Sequence, residues 1–236
     1  MTAINEELTF KVFTEMVRYR PALARYLPDN AEGEEVDLRI LSDLVIKNFP
    51  WPIGVELRRL FSGTMRYLGR QRLDQILKTI ERTMQFFSFV MVGQVWYDIT
   101  KNKLTIPENF RKEFTEKFLI LSMGNFCWLI RTLGTLYSEQ KISWFLPEMN
   151  DRFDKKFFAA LDFWVPERND IGHYQINLDD AEIEKRCVEY EEKLTMILQR
   201  IAFFAKYKLV SVRDIKVIKP RIHEAKIGRA SCRERV

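Results

Sequence analysis

The chain has 236 residues, 47% of them hydrophobic and eighteen of them Phe, enough to core one large or two small domains. Its net charge of +5 is too modest for a dedicated nucleic-acid coat, and its three cysteines show neither a disulfide framework nor a zinc spacing. No charged segment followed by an apolar run opens the chain. The most apolar stretch, 86–96, is too short to span a bilayer and holds Ser88 and Gln94, so a cytoplasmic protein with no membrane partner is expected.

Almost everything before residue 206 reads as helix. Residues 5–26 predict a helix interrupted near Pro21, and a polar loop at 28–35 precedes a second helix over 38–47. Phe49-Pro50-Trp51-Pro52 breaks that helix, because each proline disfavours helix in the residue before it. A short helix follows over 53–61, and Ser62-Gly63-Thr64 punctuates the chain. Residues 1–65 are thus an N-terminal helical segment.

Four long helices are expected over 66–206. Leu73, Ile76, Leu77, Ile80, Met84, Phe87 and Met91 form one stripe of the first. Thr105 and Glu108 have the spacing of a capping box for the second, whose buried side is read as Phe110, Phe114, Phe118, Leu121 and Trp128. The third covers roughly 148–164. Asp179 and Glu182 form a second capping pair, and the fourth helix runs through Ile183, Cys187, Tyr190, Leu194, Ile197, Ile201 and Phe204. That alternation fits a coiled-coil seam or, more simply, a bundle helix facing its neighbours. Cys127 and Cys187 fall inside these apolar segments and read as small core residues.

After Lys206 the pattern changes. Residues 207–218 alternate with a period near two and are rich in β-branched side chains, which predicts strand. Residues 207–226 are expected to begin a further region whose sequence is missing. The last ten residues, 227–236 (IGRASCRERV), have no apolar periodicity. They back-translate to ATC GGA AGA GCG TCG TGT AGG GAA AGA GTG, which resembles a sequencing-library adapter read in frame, and they are set aside as foreign. With them go three arginines, a glutamate and Cys232, and the net charge falls from +5 to about +3.

The most informative segment is Arg168-Asn169-Asp170-Ile171-Gly172-His173. The only other histidine, His223, lies near the C-terminus, so imidazole chemistry in the helical body runs through His173. A histidine that moves a proton near neutral pH, with an arginine to hold a charged phosphorane, is a minimal kit for cutting RNA. Structural roles compete with this: Arg168 can pair with Glu167 or Asp170, Asn169 can cap a helix, and His173 can bond a carbonyl in a turn closed by Gly172.

Arg168, a following Asn169, three further residues and His173, set between the third and fourth helices, resemble the hallmark of the HEPN superfamily (higher eukaryotes and prokaryotes nucleotide-binding domains). The resemblance covers about 69–206 and does not extend to the N-terminal helices. It implies an all-α fold with an up-down helical bundle over those residues, to which the residue patterns add an extra N-terminal helical segment and a short C-terminal β-like stretch. It further implies metal-independent RNA cleavage leaving a 2′,3′-cyclic phosphate, no cofactor, and a setting in bacterial defence or stress response. His173 would be the catalytic proton-transfer group, Arg168 the clamp on the scissile phosphate, and Asn169 the group that orients imidazole or substrate. Residues five apart on a helix are rotated by about 140°, so one pair does not embrace a phosphate. Active members of the family meet this by forming homodimers. Pro166, two residues before the arginine, departs from the unbroken helix of the family and is expected in the first turn of a fresh segment. Other members keep the bundle as a dimerisation, sensor or nucleotide-binding module without cleavage, here regulating a downstream domain.

Three weaker features remain. Trp144, Phe145, Phe163 and Trp164 read as base-stacking platforms or, more simply, as core. Arg66, Arg70, Arg72 and Arg82 read as a phosphate track or a solvated helix face. Trp51 between its prolines reads as a docking surface or a packed corner.

Overall fold

A computed structural model describes residues 5–27, 37–174, 178–218 and 226–234, with side chains described over 5–27, 37–167 and 178–210. Helix α1 (Glu6–Tyr19) buries Leu8, Val12, Phe13 and Met16 along one face. It stops at Arg20, and Pro21 opens a 3-10 turn through Tyr26. Helix α2 (Leu38–Asn48) is capped by Asp37, whose carboxylate accepts from the amides of Arg39 and Ile40 at 2.9 and 3.3 Å. Helix α3 (Trp51–Leu60) starts after two intervening residues, with Pro52 in its first turn, where a missing N–H costs nothing. A Cβ added at Gly54 would lie 2.5 Å from the carbonyl oxygen of Ile46, so the α2–α3 corner closes only with glycine there.

Helix α4 (Arg70–Thr100) is the longest and carries the expected stripe, with Leu73, Ile76, Leu77, Ile80, Met84, Phe87 and Met91 all buried. Thr79, Thr83 and Ser88 are buried beside them, and each hydroxyl donates to the carbonyl four residues back at 2.7–2.8 Å. Those polar groups need no external partner, so α4 can be covered on a broad face. Then come α5 (Glu108–Phe118), α6 (Met123–Glu139), α7 (Glu148–Arg152), α8 (Lys155–Tyr174) and α9 (Asp180–Arg200). Helix α4 packs on α6 and α9, and α8 packs on the same two, so the four long helices make a ring of contacts. Helix α3 lies on α4, and α1 lies on α2 and α9. A single apolar core runs from Leu8 to Ala205.

The fold is predominantly helical. Strands β1 (Val210–Ile218) and β2 (Lys226–Glu234) form one antiparallel pair, so the strand expected after Lys206 is present and the segment set aside as foreign supplies its partner. No helix among the described residues is long and apolar enough to cross a membrane.

Three expectations about helix boundaries are corrected. Thr105 does not cap α5: its amide donates to Gln140 Oε1 at 3.0 Å and its carbonyl accepts from Gln140 Nε2 at 2.7 Å, leaving Pro107 at the cap position. The long second helix is two, separated at residues 119–122, and Leu121 is exposed. Asn125 stabilises the break by donating to the carbonyls of Lys117 and Ile120 at 2.8 and 2.7 Å, and Ser122 caps α6. The third helix divides at 153–154, and its second part runs on through Pro166 to Tyr174. Pro166 does not start a new segment. It and Asp162, whose carbonyl loses its donor, both lie on the exposed side of α8, where water can satisfy that oxygen.

The arginine group is neither a track nor a uniform face. Arg72 is fully buried. Its guanidinium donates to Met65 O at 2.6 Å and Asn5 Oδ1 at 2.8 Å and pairs with Glu191, while Glu191 Oε1 accepts from the Asn5 amide at 3.0 Å. This network ties the starts of α1 and α4 to α9.

Candidate functional site

Helix α8 presents the motif, and its start is fixed by Asp154. That carboxylate accepts from the Phe157 amide at 2.8 Å and pairs with Arg200 of α9 at 3.0 Å. The Phe157 amide, and to a lesser degree Arg200, hold the Asp154 carboxyl below its ordinary value. From there Phe157, Ala160, Leu161 and Trp164 face inward. Trp164 packs edge-on against Tyr190 of α9, with ring centroids 5.4 Å apart.

Glu167 is the last residue before the motif whose side chain is described. Its carboxylate accepts from the Tyr190 hydroxyl and lies 3.6 Å from Arg186 Nη1. Burial, then the bond to Glu167, pushes the Tyr190 phenol up, so it stays a proton donor. Arg186 also bonds Glu182 at 3.1 Å; burial opposes its charge, and the carboxylates outweigh that and raise it. Glu167, one structural partner considered for Arg168, is therefore engaged by α9.

Arg168, Asn169 and His173 occupy the last two turns of α8, on the helix and not in a connection after it. Their side chains lie outside the described residues, so the competing structural contacts of Arg168 and His173 lie there too. The backbone register still sorts the positions. At about 100° per residue, positions 168 and 173 lie about 140° apart around the axis of α8.

The other features divide. Trp144 stacks on Tyr137 at 3.8 Å and is core, as is Trp164, whereas Phe145 is exposed. Phe163 is half-buried, with Lys193 of α9 over its ring at 5.4 Å. Trp51 is partly exposed. Cys127 and Cys187 are buried, and burial pushes the Cys127 thiol up to about 12.

Sequence reading missed a second polar centre, at the far end of α4. Asp98 is buried, and its Oδ2 accepts from Gln94 Nε2 and from the Tyr137 hydroxyl, both at 2.9 Å. Burial, then the Asp98 bond, holds the Tyr137 phenol protonated well above its usual range. The one signal in the sequence was a carboxylate one turn after a glutamine inside an apolar stripe. The chain matches no protein-family model, and no match is found among curated proteins or solved structures.

Proposed function

We propose that residues 66–206 form a HEPN-like up-down bundle whose Arg168–Asn169–His173 motif cleaves RNA without a metal ion. The observation that supports this best is the ring of four long helices, with the motif on the closing turns of the third. In this reading the 2′-hydroxyl of one nucleotide attacks its own 3′-phosphorus. The bond to the 5′-oxygen of the next nucleotide breaks, leaving a 2′,3′-cyclic phosphate and a 5′-hydroxyl. His173 moves the proton at one of those oxygens, and Arg168 offsets the charge that builds on the phosphorane. Because positions 168 and 173 diverge by about 140°, each scissile phosphate meets the arginine of one protomer and the histidine of its partner.

The experiment is RNA digestion in EDTA by the purified dimer. His173→Ala and Arg168→Ala are expected to abolish cleavage with unchanged helicity, and a 2′-deoxy nucleotide at the cut site to block it. Cleavage that survives both substitutions would overturn the proposal.

A second reading has its own support. Trp96 is 72% exposed, Leu119 80% and Ile120 71%, large apolar surfaces of the kind that mark association. A non-catalytic dimerisation or sensor module would show a dimer that is inert toward RNA in wild type and variants alike. Such a dimer would weaken on Trp96→Glu or Ile120→Glu.

A further inference from the structure

The C-terminal half of α4 and residues 143–145 enclose a groove of about 640 Å³, within the size range of small-molecule sites. It shares no residue with the α8 motif. Gln94 builds its base. The amide donates to Asp98 and to Ser143 O at 3.1 Å, and the Gln94 oxygen accepts from the Phe145 amide at 2.8 Å. The loop is thereby pinned to the helix and the groove is formed in advance.

Asp98 lies at the base and is only 4% exposed. Both protein donors go to Oδ2, and no described residue donates to Oδ1 or forms an ion pair with the carboxylate. Asp98 is itself one of the residues that line the groove, which leaves Oδ1 as its oxygen available to a guest. A buried carboxylate with a free oxygen and no counter-charge is a demanding feature, because desolvating an anion without a partner is costly. Two further features have the same sign. Asp98 sits in the last turn of α4, where the unpaired carbonyls make the helix end negative. Phe89, Tyr97 and Phe145 line the walls, and aromatic faces attract cations: the Tyr97 ring already carries the Lys101 ammonium at 5.9 Å. Lys103 on the rim is the one cation among the lining residues; its main-chain amide donates to the Asp98 carbonyl at 2.9 Å.

We infer that this groove binds a small organic cation, an ammonium group on an apolar or aromatic body, with the ammonium on Asp98 Oδ1 and the body between Phe89, Tyr97 and Phe145. No bond is made or broken.

The test titrates the whole chain with 2-phenylethylamine, an ammonium ion at neutral pH, and with 2-phenylethanol, its uncharged counterpart, by calorimetry or ligand-observed NMR. The amine is expected to bind at least about tenfold more tightly than the alcohol. Asp98→Asn keeps an acceptor for Gln94 and Tyr137 and should erase that preference. Gly93→Leu should abolish binding of both while leaving the fold intact, since Gly93 lines the groove and a Cβ there meets nothing within 4 Å. Equal affinity of the wild-type chain for amine and alcohol, or Asp98→Asn binding the amine as the wild type does, would overturn the inference. If Asp98→Asn fails to fold, the wild-type comparison and Gly93→Leu still decide it.

Discussion

Helix α4 buries a charge near each end, and the two are treated in opposite ways. At its N-terminal end Arg72 is enclosed by Glu191, Asn5 and the Met65 carbonyl, an anion and two neutral acceptors recruited from three parts of the chain. At its C-terminal end Asp98 is met, among the described residues, only by an amide and a phenol, both on one oxygen. A buried charge whose counter-charge is supplied by the fold is there to hold helices together. One left with an open oxygen in a groove is suited to an outside partner. The comparison separates structural from ligand-directed polar groups without reference to any motif.

The sharpest way to break this contrast is at Arg72. Arg72→Met strands Glu191 and the Asn5 amide oxygen, and about 3–5 kcal/mol of stability should be lost in urea denaturation. A loss under about 1 kcal/mol would mean that the pair is not structural. At the other end, Tyr137→Phe removes one of two donors to a buried carboxylate and should cost about 1–3 kcal/mol. Asp98→Asn should by contrast be near neutral, within about 1 kcal/mol, because no ion pair is lost. A large loss there would place Asp98 with Arg72 as a structural charge. Gly93→Ala is expected to stabilise by about 1 kcal/mol, since Gly93 is helical and exposed with open space around it. The smallest effect concerns acid. Asp154 has a lowered carboxyl, so its contribution is present above its ordinary value of 3.8 and is lost as pH falls below that. Asp154→Asn should flatten that part of the acid unfolding curve, and an unchanged curve would show that ionisation of Asp154 contributes nothing to stability.

Much of this fold is legible in spacing alone. In α9 every apolar position read from the three-and-four alternation is buried, through Ile201 and on to Phe204 in the following 3-10 turn. Asp179 caps the helix, accepting from the Glu182 amide at 2.8 Å. Where spacing failed, a side chain acting over a distance had intervened. Phe110, Phe114 and Phe118 continue into Trp128 as one stripe, and only Asn125, reaching back to two carbonyls, shows that the helix has ended. Thr105 has the right spacing for a cap but is claimed by Gln140, thirty-five residues later. Pro166 is a helix-breaking signal overridden because it lies on the wet side of α8. The motif could be read because its residues are adjacent. Asp98, Tyr137 and Phe145 could not, because nothing local announces that they meet.

The Arg72 network also bears on the order in which the molecule can be made. Asn5 bonds Glu191 across 186 residues and Arg72 bonds it across 119, so the first helix emerges from the ribosome long before its anchor exists. Until α9 has been synthesised, the buried face of α1, with Leu8, Val12 and Phe13, is covered only in part, by α2 and the 3-10 turn that follows α1. Closing so wide a loop is slow, and a nascent chain stalled before residue 191 would display that greasy strip to chaperones.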